Sequence, residues 1–296
     1  MIRRFDLALP HGITLACRAA GEGPVRALLL HGFPEAAFVW DDVLERLAPG
    51  LAAVAPNLRG YPGSSAPAEV AAYRAKHLVA DVAAAIGQLG APLPLLVAHD
   101  WGGALAWNLA AQRPELIRRL LILNSPHPGA FLRELRHSAE QQAASAYMNF
   151  LCRDDAGRLL AERDFARLWP FLENPAGAPA WLTPALREQY RQAWSAGLDG
   201  PLNYYRASPL RPPRRQPPAA DDPLFAVELP DEAVTVHVPT TVLWGERDIA
   251  LRPGLLDGLE HWVPDLEVVR VPEASHWIVH EQPALVARTI RRLVAD

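Results

Sequence analysis

The stretch Val97-Ala98-His99-Asp100-Trp101-Gly102-Gly103 places a carboxylate between an apolar run and a helix-forming segment. Residues 94–98 predict a buried parallel strand and residues 104–111 predict a helix, so the chain between them must turn sharply. Small residues suit such a turn, because a larger side chain two or three positions from its centre would strike the neighbouring backbone. The pattern favours Asp100 as a displayed nucleophile, although aspartate is also a common helix cap.

The rest of the chain alternates between strand and helix patterns on both sides of this turn. Two runs, residues 2–9 and 13–19, flank a Pro-His-Gly turn and predict an antiparallel hairpin. Six short apolar runs then predict parallel strands covered on both faces, at residues 27–30, 52–55, 94–98, 120–123, 240–244 and 267–271. This alternation predicts an α/β protein with one mixed, mostly parallel sheet and helices on both faces.

Between residues 126 and 239 the alternation stops, and the sequence becomes rich in helix formers, aromatic residues and prolines. We interpret this segment as an inserted helical lid whose aromatic side chains suit the roof of an apolar pocket. The expected organisation is therefore residues 1–125 as the first part of the core, residues 126–238 as the lid, and residues 239–296 as the second part of the core.

Composition excludes several classes of protein. The chain has 296 residues, half of them hydrophobic, which is enough for one large α/β domain with an insertion. A net charge of −4 offers no basic surface for nucleic acid, and no apolar run approaches the length that spans a bilayer. The only cysteines, Cys17 and Cys152, have no metal-site or disulfide spacing, which fits a reducing cytoplasm. We expect a cytoplasmic monomer or homodimer without membrane insertion, metal or cofactor.

Two residues near the end of the chain could activate water for a carboxylate nucleophile. His276 follows the last predicted strand, at the edge where open α/β sheets place ligands. Asp248 follows the preceding strand and could orient the imidazole of His276. His280 is the nearest rival for the base, and Glu246 competes with Asp248. Each candidate also has an ordinary structural interpretation, such as helix capping or packing.

The loop His31-Gly32-Phe33-Pro34 follows a predicted strand and supplies a backbone N–H, that of Phe33, which can point at the same edge. The N–H of Trp101 would be a second donor for the oxyanion that forms when an aspartyl ester is hydrolysed. His31 is better interpreted as structural than as catalytic. Asn124 ends another strand, but an amide cannot supply the negative charge from there.

Taken together, five motifs resemble the α/β-hydrolase family and, within it, the epoxide hydrolases. They are His31-Gly32-Phe33-Pro34, Arg59-Gly60-Tyr61, His99-Asp100-Trp101-Gly102-Gly103, Asp248 and His276. The resemblance implies an α/β-hydrolase fold with an eight-stranded sheet and a helical lid after strand 6. It further implies that an aspartate opens an epoxide to form an ester, that a His-Asp pair activates water to hydrolyse it, and that two lid tyrosines protonate the epoxide oxygen.

The resemblance also carries these tyrosine roles to particular residues. The segment Gly200-Pro201-Leu202-Asn203-Tyr204-Tyr205-Arg206 is similar to the family's Asn-Trp-Tyr-Arg lid motif, which implies Tyr205 as one acid and Tyr204 in the tryptophan position. Tyr147 lies early in the lid, where the first tyrosine is expected. We expect His31, Pro34 and Tyr204 to line the substrate pocket and the substrate to be a small apolar organic molecule.

Other functions remain open at this level. A haloalkane dehalogenase uses the same ester, and the indole N–H of Trp101 could bind a halide, although Phe33 stands where dehalogenases often have a polar residue. A fluoroacetate-type dehalogenase would have arginines just after the nucleophile, where this chain has Trp101, Gly102 and Gly103. A catalytically silent protein of the same fold would bind a ligand or partner only.

Overall fold

A single eight-stranded sheet runs through the molecule in a computed structural model that describes residues 1–173, 177–215 and 217–295. The strands are β1 (Arg3–Ala8), β2 (Thr14–Ala20), β3 (Val25–Leu30), β4 (Ala52–Pro56), β5 (Leu93–His99), β6 (Ile117–Leu123), β7 (Thr240–Gly245) and β8 (Leu266–Val271). Their order in the sheet is β1-β2-β4-β3-β5-β6-β7-β8. β2 pairs antiparallel with β1 and β4, and the remaining pairs are parallel. The predicted hairpin and mostly parallel sheet are confirmed.

Helices cover the sheet and fill the long connection between β6 and β7. They are α1 (Asp41–Leu47), α2 (Ala75–Gly90), α3 (Asp100–Gln112), α4 (Pro128–His137), α5 (Ala139–Ala144), α6 (Tyr147–Leu151), α7 (Ala156–Phe165, non-helical at residues 162–164), α8 (Trp169–Leu172), α9 (Pro184–Ser195), α10 (Asp199–Ala207), α11 (Asp231–Val234), α12 (Ile278–Glu281) and α13 (Pro283–Ala295).

The central strands are continuous apolar runs because helices shield both of their faces. All five residues of β4 are buried, as are the last four of β3 and of β6. Helix α2 turns Leu78, Val82 and Ile86 inward at helical spacing, as predicted, and ends at Gly90 with φ +115°. Each large aliphatic side chain buried in this way contributes about 1.5–3 kcal/mol.

The segment between β6 and β7, residues 124–239, is called the inserted segment below. It carries α4 to α11 and contributes buried rings of its own, including Tyr190 and Trp194 on α9 and Tyr204 on α10. Residues 174–176 and 216 of the predicted lid, and residue 296, lie outside the described residues. Within the described part of the chain, none of the helices has the length and apolar character needed to cross a bilayer.

The register of the sheet brings the carboxyl ends of five strands to one edge. Leu30 at the end of β3 pairs with Ala98, His99 at the end of β5 pairs with Leu123, and Leu123 pairs with Leu243 in β7. At the far side Gly245 pairs with Val271. Because these strands are parallel, the loops that follow them emerge side by side, which is where open α/β sheets bind ligands.

Candidate active site

Asp100 occupies the sharp turn that the sequence predicts between β5 and α3. Its φ of 49° lies in the left-handed region, which a non-glycine residue adopts at an energetic cost. The neighbours must be small. A Cβ on Gly102 would lie 2.6 Å from the carbonyl oxygen of Leu30, and one on Gly32 would lie 2.1 Å from Oδ1 of Asp100. The turn therefore depends on glycine at both positions.

The Asp100 carboxylate is held by the loop after β3. The backbone N–H of Phe33 donates to Oδ1 at 2.7 Å, while Oδ2 faces the imidazole of His276. Trp101 follows Asp100 in the first turn of α3, where helix N–H groups have no partner within the helix. The hydroxyl of Ser125, in the loop after β6, donates to the Asp100 carbonyl oxygen at 2.7 Å and stabilises the turn.

His276 lies between the two predicted carboxylates. Its Nδ1 is 2.7 Å from Oδ2 of Asp248, and its Nε2 is 3.7 Å from Oδ2 of Asp100, too far for a direct hydrogen bond. Burial by itself would lower the pKa of His276. The charge of Asp248, the hydrogen bond with it and the charge of Asp100 outweigh burial and raise that pKa to about 9.

Asp248 is fully buried and has four hydrogen-bond partners. Its Oδ1 accepts from the backbone N–H groups of Ala250 and Leu251 at 2.8 and 2.9 Å. Its Oδ2 accepts from His276 and from the side-chain amide of Asn124 at 2.9 Å. Burial would raise the pKa of Asp248, but the charge of His276 and these hydrogen bonds hold it below its usual range. The carboxylate is thus kept charged and oriented toward the imidazole.

A cavity of about 230 Å³ opens beside Asp100 and has a mostly apolar lining. Tyr147 from α6 and Tyr205 from α10 both line it, with ring centroids 6.3 Å apart. Burial, together with the charge of Asp100, raises the pKa of both hydroxyls far above the usual tyrosine value. Both phenols therefore keep their protons at neutral pH.

The geometry corrects the placement of two residues that were expected in the substrate pocket. His31 and Pro34 are not among the described residues that line the cavity at Asp100. His31 is fully buried, and its Nε2 accepts from the N–H of Leu58, because the loop turns this ring back into the core. The carbonyl of Pro34 accepts from the indole of Trp194. Tyr204 does line the cavity, but its hydroxyl donates to the Arg59 carbonyl.

A buried polar cluster, which the sequence pattern did not indicate, lies behind His276. Oε1 of Glu35 lies 2.8 Å from the Tyr190 hydroxyl and 3.0 Å from Nε2 of His280, and its Oε2 lies 3.2 Å from Nδ1 of His99. Nε2 of His99 is 2.9 Å from the carbonyl oxygen of His276. Two positions in the sequence could have indicated this cluster. His99 is a polar residue at the end of the buried strand β5, and Glu35 is a charged residue in the loop after the buried strand β3.

Asn124 has a role that its residue type alone did not suggest. Its amide nitrogen donates to Asp248, and its oxygen accepts from the N–H of Gly245 at 2.8 Å. The amide thus clamps the loop after β7 to the end of β6 and orients the carboxylate without carrying charge itself. Among the described residues, no group of three or more His, Cys, Asp or Glu side chains is arranged to hold a metal ion.

Comparisons with known proteins agree with this architecture. Residues 28–283 match the sequence model of the family described as alpha/beta hydrolase fold. The chain is 33% identical over 286 residues to the AB hydrolase superfamily protein YfhM of Bacillus subtilis (strain 168), covering 95% of this chain and 94% of that protein. It is also 33% identical over 278 residues to epoxide hydrolase 3 of Xenopus tropicalis, covering 91% of this chain and 71% of the relative.

Solved structures give the same result in three dimensions. A Bacillus megaterium epoxide hydrolase in complex with an inhibitor superposes on this chain with a TM-score of 0.88 at 30% sequence identity. The superposition covers 99% of this chain and 100% of the other. The likeness therefore includes the inserted segment as well as the sheet.

Proposed function

This chain belongs to the α/β-hydrolase family as an epoxide hydrolase-like enzyme, and we propose that it opens epoxides to vicinal diols through an ester on Asp100. The surroundings of the Asp100 carboxylate are the main support for this proposal. The Asp100 carboxylate has one oxygen bound by the Phe33 N–H and the other facing His276, beside a cavity that also contains two tyrosine hydroxyls. A nucleophile and two candidate acids thus line one apolar space, and a candidate base faces the second oxygen of the nucleophile.

In the first step, Oδ2 of Asp100 attacks an epoxide carbon and the carbon–oxygen bond of the ring breaks. The electron pair passes to the epoxide oxygen, which takes a proton from Tyr205 or Tyr147. A positioned acid of this kind accelerates proton transfer by about 10²–10⁴-fold. The high pKa of both phenols supports this role, since it keeps the proton on oxygen until the alkoxide forms.

In the second step, His276 takes a proton from water and the resulting hydroxide attacks the carbonyl carbon of the ester. Negative charge develops on Oδ1, which the Phe33 N–H already contacts at 2.7 Å, with the Trp101 N–H as the second donor. Each such donor is worth about 3 kcal/mol of the barrier. In the collapse, the bond between the carbonyl carbon and the diol oxygen breaks, and the proton of the added hydroxyl passes to that oxygen, which releases the diol and restores the carboxylate. The proton that His276 took from water then replaces the one that tyrosine supplied.

Formation of the ester also prepares the base. The charge of Asp100 is one cause of the raised pKa of His276, and esterification removes that charge. The imidazole therefore binds its proton less tightly in the intermediate than in the free enzyme. This ordering lets one histidine rest as a cation beside the carboxylate, release that proton to solvent once the carboxylate has reacted, and then act as a base.

We further propose that residues 126–238 act as a lid over a core formed by residues 1–125 and 239–296. Both candidate acids, Tyr147 and Tyr205, come from this segment, and with Phe131 and Met148 it forms much of the cavity lining. An apolar enclosure excludes water and suits a small apolar organic epoxide.

Product analysis tests the reaction. The purified protein is incubated separately with styrene oxide and with 1-bromobutane, and diol, bromide and alcohol are measured. Diol without bromide supports the proposal. Release of bromide would instead identify a haloalkane dehalogenase, for which the indole of Trp101 beside Asp100 is the favourable observation. Neither product across a broad panel of epoxides and haloalkanes would indicate a binding protein.

Isotope labelling tests the mechanism. In a single turnover in H₂¹⁸O, the first diol should be unlabelled and the label should appear in Asp100, because water attacks the ester carbonyl. Label in the first diol would mean direct hydration. The variant His276→Gln should accumulate the ester as a mass increase on the peptide that contains Asp100, whereas full turnover by this variant would exclude His276 as the base.

A further inference from the structure

We propose that His280 is a positioning residue. Its imidazole holds the Glu35 carboxylate between the inserted segment and His99, whose side chain binds the backbone carbonyl of His276. The functional readout of this inference rests on the proposed ester mechanism. His280 lies one turn of chain after His276, in α12, and only 8% of its side chain is exposed. It is not among the described residues that line the cavity at Asp100.

The hydrogen bonds around His280 indicate that its Nε2 carries a proton. Glu35 Oε1 accepts from the Tyr190 hydroxyl at 2.8 Å, which uses the single proton of that hydroxyl. Nε2 of His280 lies 2.9 Å from the same hydroxyl oxygen and 3.0 Å from Glu35 Oε1. Since both of these atoms act as acceptors toward it, Nε2 must carry a proton and donate to them. His280 is therefore a donor to Glu35 and is not free to accept a proton from water at this nitrogen.

Glu35 transmits this anchoring toward the base. Its second oxygen lies 3.2 Å from Nδ1 of His99, and Nε2 of His99 donates to the carbonyl oxygen of His276 at 2.9 Å. Burial by itself would raise the pKa of Glu35, but the hydrogen bond from His280 holds it well below its usual range, and the nearby imidazole of His99 lowers it further. A charged carboxylate that is 1% exposed keeps its geometry only while its donors are in place.

Two residues of the inserted segment contact the imidazole of His280. Tyr190 supplies the hydroxyl from α9, and the ring of Trp181 stacks on His280 with centroids 4.4 Å apart and planes inclined by 3°. Glu35 precedes the inserted segment in the chain and His280 follows it. The cluster therefore joins the inserted segment to the loop that carries His276. A defect here should displace His276 relative to the ester while Asp100 stays at its turn.

The variants His280→Phe and His280→Gln test this role by single-turnover kinetics with styrene oxide. Phenylalanine keeps a ring against Trp181 but removes the donor, whereas glutamine restores a side-chain N–H. We expect His280→Phe to leave the alkylation rate within about twofold of the parent and to slow ester hydrolysis about tenfold, because small misplacements of a base are costly. His280→Gln should recover at least half of the loss. The ester should accumulate on Asp100 during steady-state turnover of His280→Phe.

Two further variants, one in this cluster and one outside it, serve as comparisons. Tyr190→Phe removes only the hydroxyl that shares this cluster and should also slow hydrolysis selectively. Trp169→Phe removes an indole hydrogen bond to the Asp164 carbonyl elsewhere in the inserted segment and should not. Equal slowing of both steps in His280→Phe, no slowing at all, or no recovery with glutamine would each overturn the proposal.

A measurement without substrate separates this inference from the proposed function. The Nδ1 proton of His276, bonded to Asp248 at 2.7 Å, should give a downfield NMR resonance. We expect this proton to exchange faster with water in His280→Phe than in the parent or in Trp169→Phe. Unchanged exchange would contradict the positioning role, whereas faster exchange in a protein that turns over no epoxide would refute the proposed function alone.

Discussion

At the residue scale, the proposed chemistry depends on how one carboxylate and one imidazole alter each other. The charge of Asp248 and its hydrogen bond raise the pKa of His276 most, and the charge of Asp100 raises it further, to about 9. An imidazole with so high a pKa would be a poor base at neutral pH if both carboxylates stayed charged. The proposed mechanism resolves this, because alkylation of Asp100 would remove one of the two charges before the base is needed.

The variant Asp100→Asn imitates the neutral ester and tests this coupling. Removing a negative charge destabilises the imidazolium, so the pKa of His276 should fall from about 9 toward its ordinary value of 6.5. NMR titration of the ring protons measures the shift. As a control, Asp231→Asn removes an exposed carboxylate that pairs with His261 and should leave His276 unchanged. An unaltered pKa in Asp100→Asn would show that the Asp100 charge does not act on the base.

The two cavity tyrosines can be separated in the same way. Tyr205→Phe and Tyr147→Phe should each slow alkylation about tenfold, and the double variant should lose about 10²-fold or more, as expected for loss of general acid catalysis. Single-turnover formation of the ester is the measurement. Tyr61→Phe is the matched control, because this buried tyrosine is not among the described residues lining the cavity. Full activity in the double variant would remove both residues from the acid role.

At the scale of elements, the turn between β5 and α3 and the loop after β3 form one unit. Gly32 packs directly against the Asp100 side chain, and the N–H of the next residue, Phe33, binds the carboxylate. Because the loops follow paired parallel strands, the position of each is set by the register of the sheet. The site therefore tolerates little change in either loop.

The variant Gly32→Ala tests this close fit. Its Cβ would lie 2.1 Å from Oδ1 of Asp100, so either the turn or the loop must move. We expect more than about 10²-fold loss of ester formation, since a shift of about 1 Å at a reacting group has this effect. Gly87→Ala in α2 is the control, because nothing lies within 4 Å of its added Cβ and alanine favours helices by about 1 kcal/mol. Retained activity in Gly32→Ala would contradict the described geometry.

At the scale of the whole molecule, buried polar contacts tie the inserted segment to the sheet. The guanidinium of Arg59 binds both carboxylate oxygens of Asp81 in α2, at 2.6 and 2.7 Å, and the pair is about 5% exposed. The carbonyl of Arg59 accepts from the Tyr204 hydroxyl of α10 at 2.8 Å. One residue of the Arg-Gly-Tyr motif thus links the loop after β4, a sheet-covering helix and the inserted segment.

Breaking this pair should destabilise the whole fold. Asp81→Asn leaves the Arg59 charge buried without its counterion, and we expect the free energy of unfolding to fall by about 3 kcal/mol. Urea denaturation measures the change. Asp42→Asn is the control, since it breaks an exposed pair with Arg46 on α1 and should cost less than about 0.5 kcal/mol. A loss in Asp81→Asn as small as in the control would contradict the structural role of the pair.

The sequence by itself determined the fold class and the edge of the sheet at which the candidate site lies. Apolar runs and helical spacings report burial of the local chain, so the sheet, α2 and the turn at Asp100 could be predicted from short windows. The positions of Asp100, Asp248 and His276 after β5, β7 and β8 placed them at one edge, because parallel strands share their carboxyl ends. Those inferences need only local pattern and a known topology.

Only the tertiary structure decided which other side chains meet behind the base. Glu35 and His280 are 245 residues apart and Asn124 and Asp248 are 124 apart, and no local pattern encodes such contacts. The same reason explains why His31 turns into the core and not into the cavity. Periodicity tells which face of an element is buried, whereas the partner of each buried polar group depends on how distant elements pack together.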